Sequence, residues 1–261
     1  MISHSPRRII IGDVHGHYQG LQTLLALLDL GDRDTLYFLG DLIDRGPESA
    51  QVVEFVRTHQ YPCLLGNHEQ MMHFAFLLSQ NNANHFALEA WLSAGGRSTL
   101  ESYTDLGQLE IDLAWIATLP TYLDLGDLWL VHAGVNPHFA LASQSAQEFC
   151  WIRKEFHQMQ KPFFADKLIV TGHTITFTFP GVEPGQIVQG AGWLDIDTGA
   201  YHPRSGWLTA LDMSQRQVYQ VNVFNQSTRV RPLAEAIVPL PFLKTDMLLP
   251  DLRHPPTACT A

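Results

Sequence analysis

The feature that most constrains the fold of this chain is a pattern that occurs three times in its N-terminal part. Each time, a short apolar run ends in glycine, and an aspartate or asparagine follows at once. Successive segments begin roughly 30 residues apart, about one βαβ step. The carboxyl ends of parallel strands meet at one edge of a sheet, so these polar side chains should converge. The three segments are Gly12–Gly16, Gly40–Gly46 and Gly66–Glu69.

Such a convergence predicts a site for two divalent cations. Any one segment, such as Gly12–Gly16, is also typical of an ordinary turn, because glycine tolerates positive φ and aspartate bonds to its own backbone. The turn interpretation does not explain why all three occur in order and are followed by His132-Ala133-Gly134 and Gly172-His173. Oxygen and imidazole ligands from separate strand ends are what a hard, doubly charged cation requires.

Taken together, the segments resemble one family. In order they read GDVHG, GDLIDRG, GNHE, VHAG and GHT. This series resembles the PPP-type metallophosphatases, in particular the bacterial serine/threonine protein phosphatases and the phosphatase of bacteriophage lambda. The resemblance runs from about Arg8 to Ala200. It includes Trp151-Ile152-Arg153, which is similar to a W-x-R segment of the family, and Ile196–Ala200, which matches its usual IDTGA.

The resemblance implies a ligand set for two divalent metal ions, with one carboxylate bridging them. The set contains carboxylate, amide and imidazole groups but no sulfur, which favours Mn²⁺, with iron and zinc as alternatives. The implied ligands are Asp13, His15 and Asp41 for one ion, and Asp41, Asn67, His132 and His173 for the other.

The resemblance also implies catalytic roles for four residues. His68 is expected to protonate the leaving alkoxide, and Asp44 to orient His68 and keep it protonated. Arg45 and Arg153 carry planar guanidinium groups that suit phosphate oxygens. The interpretation of Glu69 stays open between a group that orients the site and a first-turn helix residue favoured by the helix dipole.

The expected activity is hydrolysis of phosphomonoesters by a hydroxide that two metal ions activate. The expected protein is a serine/threonine or dual-specificity phosphatase that acts on phosphorylated proteins or peptides. One alternative is a symmetrical dinucleoside-tetraphosphate hydrolase of the same superfamily, a group that usually carries GNHD and lacks the aspartate of DRG. This chain has Glu69 and Asp44 instead. A more remote alternative is an inactive scaffold that binds phosphorylated partners, but such a protein should have lost a ligand or the acid.

The composition of the chain limits which partners the protein is expected to bind and in which compartment it is expected. The formal net charge is −10 at pH 7, which disfavours nucleic acid and anionic membranes because both repel an acidic surface. The apolar run after Arg7-Arg8 ends at Gly12, too soon for an export signal, and no run reaches the ~18 residues of a membrane span. Three scattered cysteines without a C-x-x-C pair fit a reducing compartment. We therefore expect a soluble cytoplasmic protein.

Apolar strands alternate with amphipathic helices, which predicts an α/β fold. We expect a metallophosphoesterase-like architecture, with two mixed β-sheets packed face to face and helices on the outer faces. Residues 1–225 are expected to form one catalytic domain. Residues 226–261 form an apolar extension rich in proline, which we expect to pack on the domain in an extended form. Within the domain, Cys63–Leu65 is predicted to be the third strand, and Gly95-Gly96 the break in a helical middle region.

Overall fold

The computed structural model of the chain describes residues 6–79 and 85–240. Strands and helices alternate at first, and strands dominate towards the end. The strands are β1 (Arg8–Ile11), β2 (Thr35–Phe38), β3 (Tyr122–Asp124), β4 (Leu128–Val131), β5 (Leu168–Thr171), β6 (Ile187–Gly190), β7 (Trp193–Asp195), β8 (Trp207–Asp212), β9 (Gln217–Asn222), β10 (Thr228–Pro232) and β11 (Ile237–Pro239). The helices are α1 (Tyr18–Leu28), α2 (Ser49–Thr58), α3 (Asn67–Ser79), α4 (His85–Trp91), α5 (Arg97–Ser102), α6 (Leu106–Ile116), α7 (Ala146–Trp151), α8 (Lys154–His157) and α9 (Leu233–Ala236).

The strands form two mixed sheets. The first has the order β10-β9-β8-β1-β2, and the second has the order β11-β6-β7-β5-β4-β3. In the first sheet β1 pairs in parallel with β2, with Ile10 opposite Tyr37. In the second, β4 pairs in parallel with β5, with Trp129 opposite Ile169. Because parallel strands bring their carboxyl ends to one edge, each sheet presents a pair of adjacent loops there.

Apolar side chains from both sheets fill the space between them. Ile10 and Leu211 of the first sheet share one buried cluster with Leu130 and Val170 of the second. Another cluster lies between the first sheet and helices α1, α2 and α3, and a third involves the second sheet with helices α7 and α8. Ile9–Ile11 reads as an unbroken apolar run because both faces of β1 are buried. The predicted fold, two mixed sheets face to face with helices outside, is confirmed.

The start of the predicted C-terminal extension contributes one strand to each sheet. β10 pairs antiparallel with β9, and β11 pairs parallel with β6, each at the edge of its sheet. Edge strands tolerate Pro232 and Pro239 because one row of their backbone groups has no partner strand. Residues 241–261 of the extension lie outside the described residues, and the domain division at residue 225 stays a prediction.

The predicted third strand, Cys63–Leu65, is wrong in its extent. Cys63 forms only an isolated parallel bridge with Phe38. Pro62 has no N–H to donate to a sheet, and a glycine follows Leu65 directly, so the run is too short to pair further. The bridge nevertheless aligns this segment with β2, and α3 begins two residues after Leu65.

The helical middle region contains the predicted break. A π-helical turn, Leu92–Gly96, joins α4 to α5, and Gly95 within it has a φ of 122°. Glycine adopts this angle without the steric cost that a side chain would bring. The carbonyl oxygen of Gly95 accepts a hydrogen bond from the backbone N of Arg45 at 3.2 Å, so the middle region contacts the loop after β2. No helix in the two described ranges combines the length and the apolar character that crossing a membrane requires.

Candidate metal centre

Most of the predicted site residues leave the sheets at the carboxyl ends of parallel strands. This placement follows from the sequence pattern, because each segment comes directly after an apolar run. Asp13 and His15 follow β1, Asp41, Asp44 and Arg45 follow β2, Asn67 and His68 open α3, His132 follows β4, His173 follows β5, and Arg153 precedes α8.

Five of these residues have a left-handed backbone. The angle φ is 47° at His15, 48° at Asp41, 71° at His173, and 72° at both Asp44 and Arg45. For residues other than glycine this conformation costs about 1–3 kcal/mol each, and it persists only where the surroundings enforce it. Its concentration here indicates loops that are shaped for a site rather than by local preference.

Asp41, His132 and His173 form one group of ligand atoms, which all lie within 4.8 Å of one another. Nε2 of His132 is 3.4 Å from Oδ1 of Asp41. Asn67 joins this group, because its Oδ1 is 3.0 Å from Nε2 of His132 and 2.8 Å from Nδ1 of His173. The structure thus brings together the four residues that were predicted for the second metal ion, and all four are buried.

A second group of ligand atoms shares Asp41 with the first. It consists of His15, Asp41 and His68, again within 4.8 Å. Nε2 of His15 is 3.6 Å from Oδ2 of Asp41, whereas Oδ1 faces His132, so the two carboxylate oxygens serve different groups. Asp13, the remaining predicted ligand, belongs to neither group. Its carboxylate accepts a hydrogen bond from the backbone N of His173 at 3.1 Å.

The hydrogen bonds of the histidines test whether a cation fits. Nδ1 of His132 is 2.9 Å from the carbonyl oxygen of Leu39, and Nδ1 of His15 is 2.9 Å from that of Ile43. A carbonyl oxygen only accepts, so both Nδ1 atoms carry the hydrogen and both Nε2 atoms present a lone pair. The lone pair of His132 then faces the amide oxygen of Asn67, acceptor against acceptor. A cation held by both atoms would turn this repulsion into coordination, so the donor set fits a metal ion.

The carboxyl groups of the site are buried, so their ionised forms are unfavourable unless positive charge lies close to them. Burial, and then the charges of Asp197 and Asp41, raise the pKa of Asp13 well above its usual value. Burial also raises the pKa of Asp197 to about 6. In the opposite sense, burial lowers the pKa of His15 and of His132, which keeps these imidazoles neutral. Crowded carboxyl groups beside neutral imidazoles form a set that gains stability when divalent ions bind.

Glu69 orders the loop that carries Asp41. Its Oε2 accepts hydrogen bonds from the backbone N of Asp41 at 2.8 Å and of Gly66 at 3.0 Å. Its Oε1 accepts from the backbone N of Leu42 at 2.7 Å and of Ile43 at 3.3 Å. The side chain is fully buried. Of the two open interpretations of Glu69, the geometry favours a group that orients the site.

His68 and Asp44 form a buried hydrogen-bonded pair. Nδ1 of His68 is 2.6 Å from Oδ2 of Asp44. The carboxylate of Asp44 also accepts from Nε1 of Trp91 at 2.9 Å and from Oγ1 of Thr99 at 2.6 Å. Burial alone would lower the pKa of His68, but Asp41 and Asp44 outweigh it and raise this pKa. The pair therefore suits a residue that must hold a proton at neutral pH.

Arg45 and Arg153 both line a cavity of about 190 Å³ over the candidate metal centre. Nη2 of Arg45 is 3.0 Å from Nε2 of His68, and its guanidinium carbon lies 3.9 Å from the centroid of the Tyr201 ring. Nη1 of Arg153 donates to Oγ1 of Thr174 at 2.7 Å. An anion in this cavity would meet two guanidinium groups.

Three residues at the site were not marked by the sequence pattern. Trp91 and Thr99 come from α4 and α5, where no motif signals that they contact Asp44. Tyr201 directly follows the IDTGA run, and this position was the only available signal. Asp197 within the run closes a turn by accepting from the backbone N of Gly199, and it also lines the cavity.

Comparison with known proteins identifies the family. The profile of the calcineurin-like phosphoesterases matches residues 6–177, a span that includes every predicted site residue. This is more than half of the chain, and the chain belongs to the calcineurin-like phosphoesterase family. The family and the converging oxygen and nitrogen donors together define a metal-dependent phosphoesterase, which is a hydrolase.

Curated relatives carry a more specific name. The symmetrical bis(5'-nucleosyl)-tetraphosphatase of Vibrio cholerae is 33% identical over 144 residues, which are 53% of this chain and 49% of the relative. That of Edwardsiella ictaluri is 32% identical over 140 residues, 52% of this chain and 46% of the relative. The chain spans about half the length of the curated relatives it matches.

Solved structures share the fold. A crystal structure provisionally assigned as a diadenosine tetraphosphatase has a TM-score of 0.58 at 19% identity, over 89% of this chain and 96% of that one. A serine/threonine phosphatase from Saccharomyces cerevisiae has a TM-score of 0.51 at 15% identity, over 87% and 79%. These similarities show the fold alone. The sequence resemblance predicted a protein phosphatase similar to that of bacteriophage lambda. The comparisons support only the broader family, because the curated relatives named above are tetraphosphatases.

Proposed function

We propose that this protein hydrolyses symmetrical dinucleoside tetraphosphates, cutting the tetraphosphate in the middle to release two nucleoside diphosphates. The observation that carries the proposal is the 32–33% identity with the Vibrio and Edwardsiella tetraphosphatases over half of the chain.

The position of Glu69 is compatible with a tetraphosphate substrate. The motif GNHE, where tetraphosphatases usually have GNHD, favoured a protein phosphatase in the sequence. Glu69, however, bonds to backbone N–H groups of the loop that carries Asp41, and it does not line the cavity. The side chain at this position therefore acts on the loop and does not contact the cavity in which a substrate would bind.

The charges around the cavity suit a polyphosphate. Arg45 and Arg153 offer guanidinium forks to phosphate oxygens, and divalent cations at the centre would add further positive charge. A chain of four phosphates presents several anionic oxygens in a row, so it can contact both arginines and the metal centre together. A single phosphoryl group has fewer oxygens to share among these partners.

A second candidate, hydrolysis of phosphoserine or phosphothreonine, is favoured by one observation. Asp44, which the resemblance associates with protein phosphatases, is buried and bonded to His68, and the pKa of His68 is raised. An alkoxide is a poor leaving group and needs a proton, whereas a nucleoside diphosphate leaves readily without one. A general acid that protonates the leaving group therefore accelerates the hydrolysis of a phosphomonoester more than that of a tetraphosphate.

Bound divalent cations would supply the activated water nucleophile and neutralise phosphoryl charge. Residues of the chain would bind the substrate and supply the proton for the leaving group. Arg45 and Arg153 hold phosphate oxygens, and Asp44 fixes the ring of His68 through Nδ1. Nη2 of Arg45 contacts Nε2 of His68 in this structure. A guanidinium only donates, so Nε2 accepts in this contact and carries no proton. When phosphate oxygens compete for Arg45, Nε2 becomes free to bind a proton from solvent and to pass it to the leaving oxygen.

Parallel steady-state kinetics test the proposal. The full chain, loaded with Mn²⁺, is assayed with diadenosine tetraphosphate and with a phosphoserine peptide. We expect kcat/KM to be higher for the tetraphosphate, and activity on both to stop with a chelator. We expect His68→Asn to lower kcat about 10²–10⁴-fold on the peptide and by much less on the tetraphosphate. His138→Asn, a change at an exposed histidine, is the control.

Two results would decide against this assignment. A kcat/KM that is higher for the phosphoserine peptide would make the second candidate the function. Equal losses in His68→Asn on both substrates would show that His68 acts in binding or in metal support, whichever substrate is preferred.

A further inference from the structure

Arg229 and Arg231 lie two residues apart on β10, the outermost strand of the first sheet. Residues at this spacing on a strand point to the same face. Arg229 is opposite Gln220 of β9, and its guanidinium carbon lies 4.0 Å from the centroid of the Trp207 ring. Both arginine side chains are partly buried. Neither lines the cavity of the metal centre.

Among residues 6–79 and 85–240, too few acceptors surround the two guanidinium groups. The carbonyl oxygen of Gly185 receives three donors, from Nη2 of Arg229 at 3.1 Å, Nη2 of Arg231 at 2.5 Å and Nε2 of Gln220 at 2.9 Å. A carbonyl oxygen has only two lone pairs. Oε1 of Gln220 accepts from both arginines as well, at 2.7 and 3.3 Å. Nε of Arg231 is buried and has no hydrogen-bond partner.

In the part of the chain that the structure describes, the two charges also lack a close counter-charge. Within the described residues no carboxylate oxygen forms an ion pair with either guanidinium within 4.0 Å. Glu235 acts on Arg231 from a greater distance and raises its pKa, but burial outweighs it and lowers that pKa. Burial, and then the charge of Arg231, lower the pKa of Arg229 to about 10. Two partly desolvated like charges are unfavourable unless an anion binds between them.

We propose that Arg229 and Arg231 bind a small oxyanion of the phosphate class at a site separate from the metal centre. The forked guanidinium groups match the oxygens of a phosphate, which would supply both the missing acceptors and the missing charge. Inorganic phosphate and the phosphate of a nucleotide share this chemistry. The site does not depend on which substrate the metal centre hydrolyses.

Calorimetric titration of the full, metal-loaded chain with inorganic phosphate tests the site. We expect two binding events in the wild type, one at the metal centre and one at the arginine pair. Arg229→Gln/Arg231→Gln should lose one event, and Arg153→Gln should weaken the other. Arg8→Gln is the matched control, because it removes the same charge from an arginine that already has a carboxylate partner, Asp127. A parallel titration with ADP shows whether the arginine pair binds the phosphate of a nucleotide as well as inorganic phosphate.

Thermal melting distinguishes an anion site from a structural role. Without phosphate, Arg231→Gln should melt at or above the wild-type temperature, because it relieves the repulsion. With phosphate, the rise in melting temperature should be smaller than in the wild type, and affinity at the pair should fall about tenfold. A single phosphate event in the wild type overturns the proposal. So does an unchanged phosphate affinity in Arg231→Gln combined with a lower melting temperature, and this readout remains if the double variant does not fold.

Discussion

Asp44 is the residue on which the proton of His68 depends. Its carboxylate contacts Nδ1 of His68 and accepts hydrogen bonds from Trp91 and Thr99, so three buried groups hold it in place. Burial and the charge of Arg45 work against a protonated imidazole, whereas Asp41 and Asp44 favour it and raise the pKa of His68. The motif located this pair, whereas the two residues that hold Asp44 had to be seen in the structure.

Replacing Asp44 with Asn should move the alkaline limb of the kcat profile to lower pH. The carboxylate raises the pKa of His68, so its removal lets the imidazole lose its proton earlier, and we expect a shift of about 1–3 pH units. The measurement is kcat against pH on an alkyl phosphate ester. Trp91→Phe, which keeps the carboxylate, is the control. An alkaline limb at the same pH in both variants would refute the acid role of His68.

His157 on α8 should make the free energy of unfolding depend on pH. Burial, and then the charge of Arg153, lower its pKa to about 4, and its ring packs 5.4 Å from that of Trp193 and 4.9 Å from that of Phe179. Between this value and the usual 6.5 the unfolded chain binds the proton and the folded chain does not. Stability is therefore full above about pH 6.5 and falls as the pH drops towards 4, by on the order of 3 kcal/mol.

Substituting His157 with Phe should remove much of this acid sensitivity. The aromatic contacts remain, and the buried Nε2 that lacks a partner disappears. Urea unfolding at neutral and at mildly acid pH measures the effect, with His138→Phe on the surface as the control. If the variant loses as much stability as the wild type between the two pH values, His157 is not the group responsible.

At the scale of elements, the loop after β2 is the part that needs most support. Asp41 and two further residues of this loop have a left-handed backbone, which is unfavourable for residues other than glycine. Glu69 stabilises the loop, because its carboxylate accepts four backbone hydrogen bonds along the loop and just before α3. Two elements thus depend on one carboxylate. The GNHE motif placed Glu69 near the site, but its contacts could not be read from the sequence because they depend on how the loop folds back.

Glu69→Gln should reduce both metal content and stability. The amide group would put an N–H donor against backbone N–H donors, and each buried group left without a partner costs about 1–3 kcal/mol. Bound metal per chain after dialysis, and the melting temperature, are the two measurements. Glu48→Gln is the control, because Glu48 accepts an exposed backbone hydrogen bond from Gln19. Full metal content with an unchanged melting temperature would contradict the orienting role of Glu69.

Elements with strong local signals were predictable, and those that depend on distant contacts were not. β1 follows from an unbroken apolar run, and the break at Gly95 follows from the Gly95-Gly96 pair in the sequence. Cys63–Leu65 looked equally apolar, but Pro62 and the glycine after Leu65 limit it to one bridge. The ring of Tyr201 contacts the guanidinium group of Arg45 because the fold brings together two segments that are far apart in the sequence. The local sequence around either residue does not indicate this contact.

On the scale of the whole molecule, two sheets bring four strand ends to one site inside an acidic protein. The formal net charge of −10 and the paired arginines of the cavity coexist because the positive charge is concentrated where phosphate is expected to bind. Motif order was enough to predict this architecture and the class of chemistry. The substrate was not, because the metal centre recognises the phosphoryl group, and the rest of the substrate contacts surfaces that no motif encodes.

Product analysis is the most direct test of the central claim, a metal-dependent cut in the middle of a dinucleoside tetraphosphate. Diadenosine tetraphosphate is incubated with the Mn²⁺-loaded full chain, and the nucleotides are separated by anion-exchange chromatography. The account predicts ADP as the only nucleotide product, and no product when a chelator is present. AMP and ATP in equal amounts, or an intact tetraphosphate under conditions where the same sample hydrolyses a phosphoserine peptide, would contradict it.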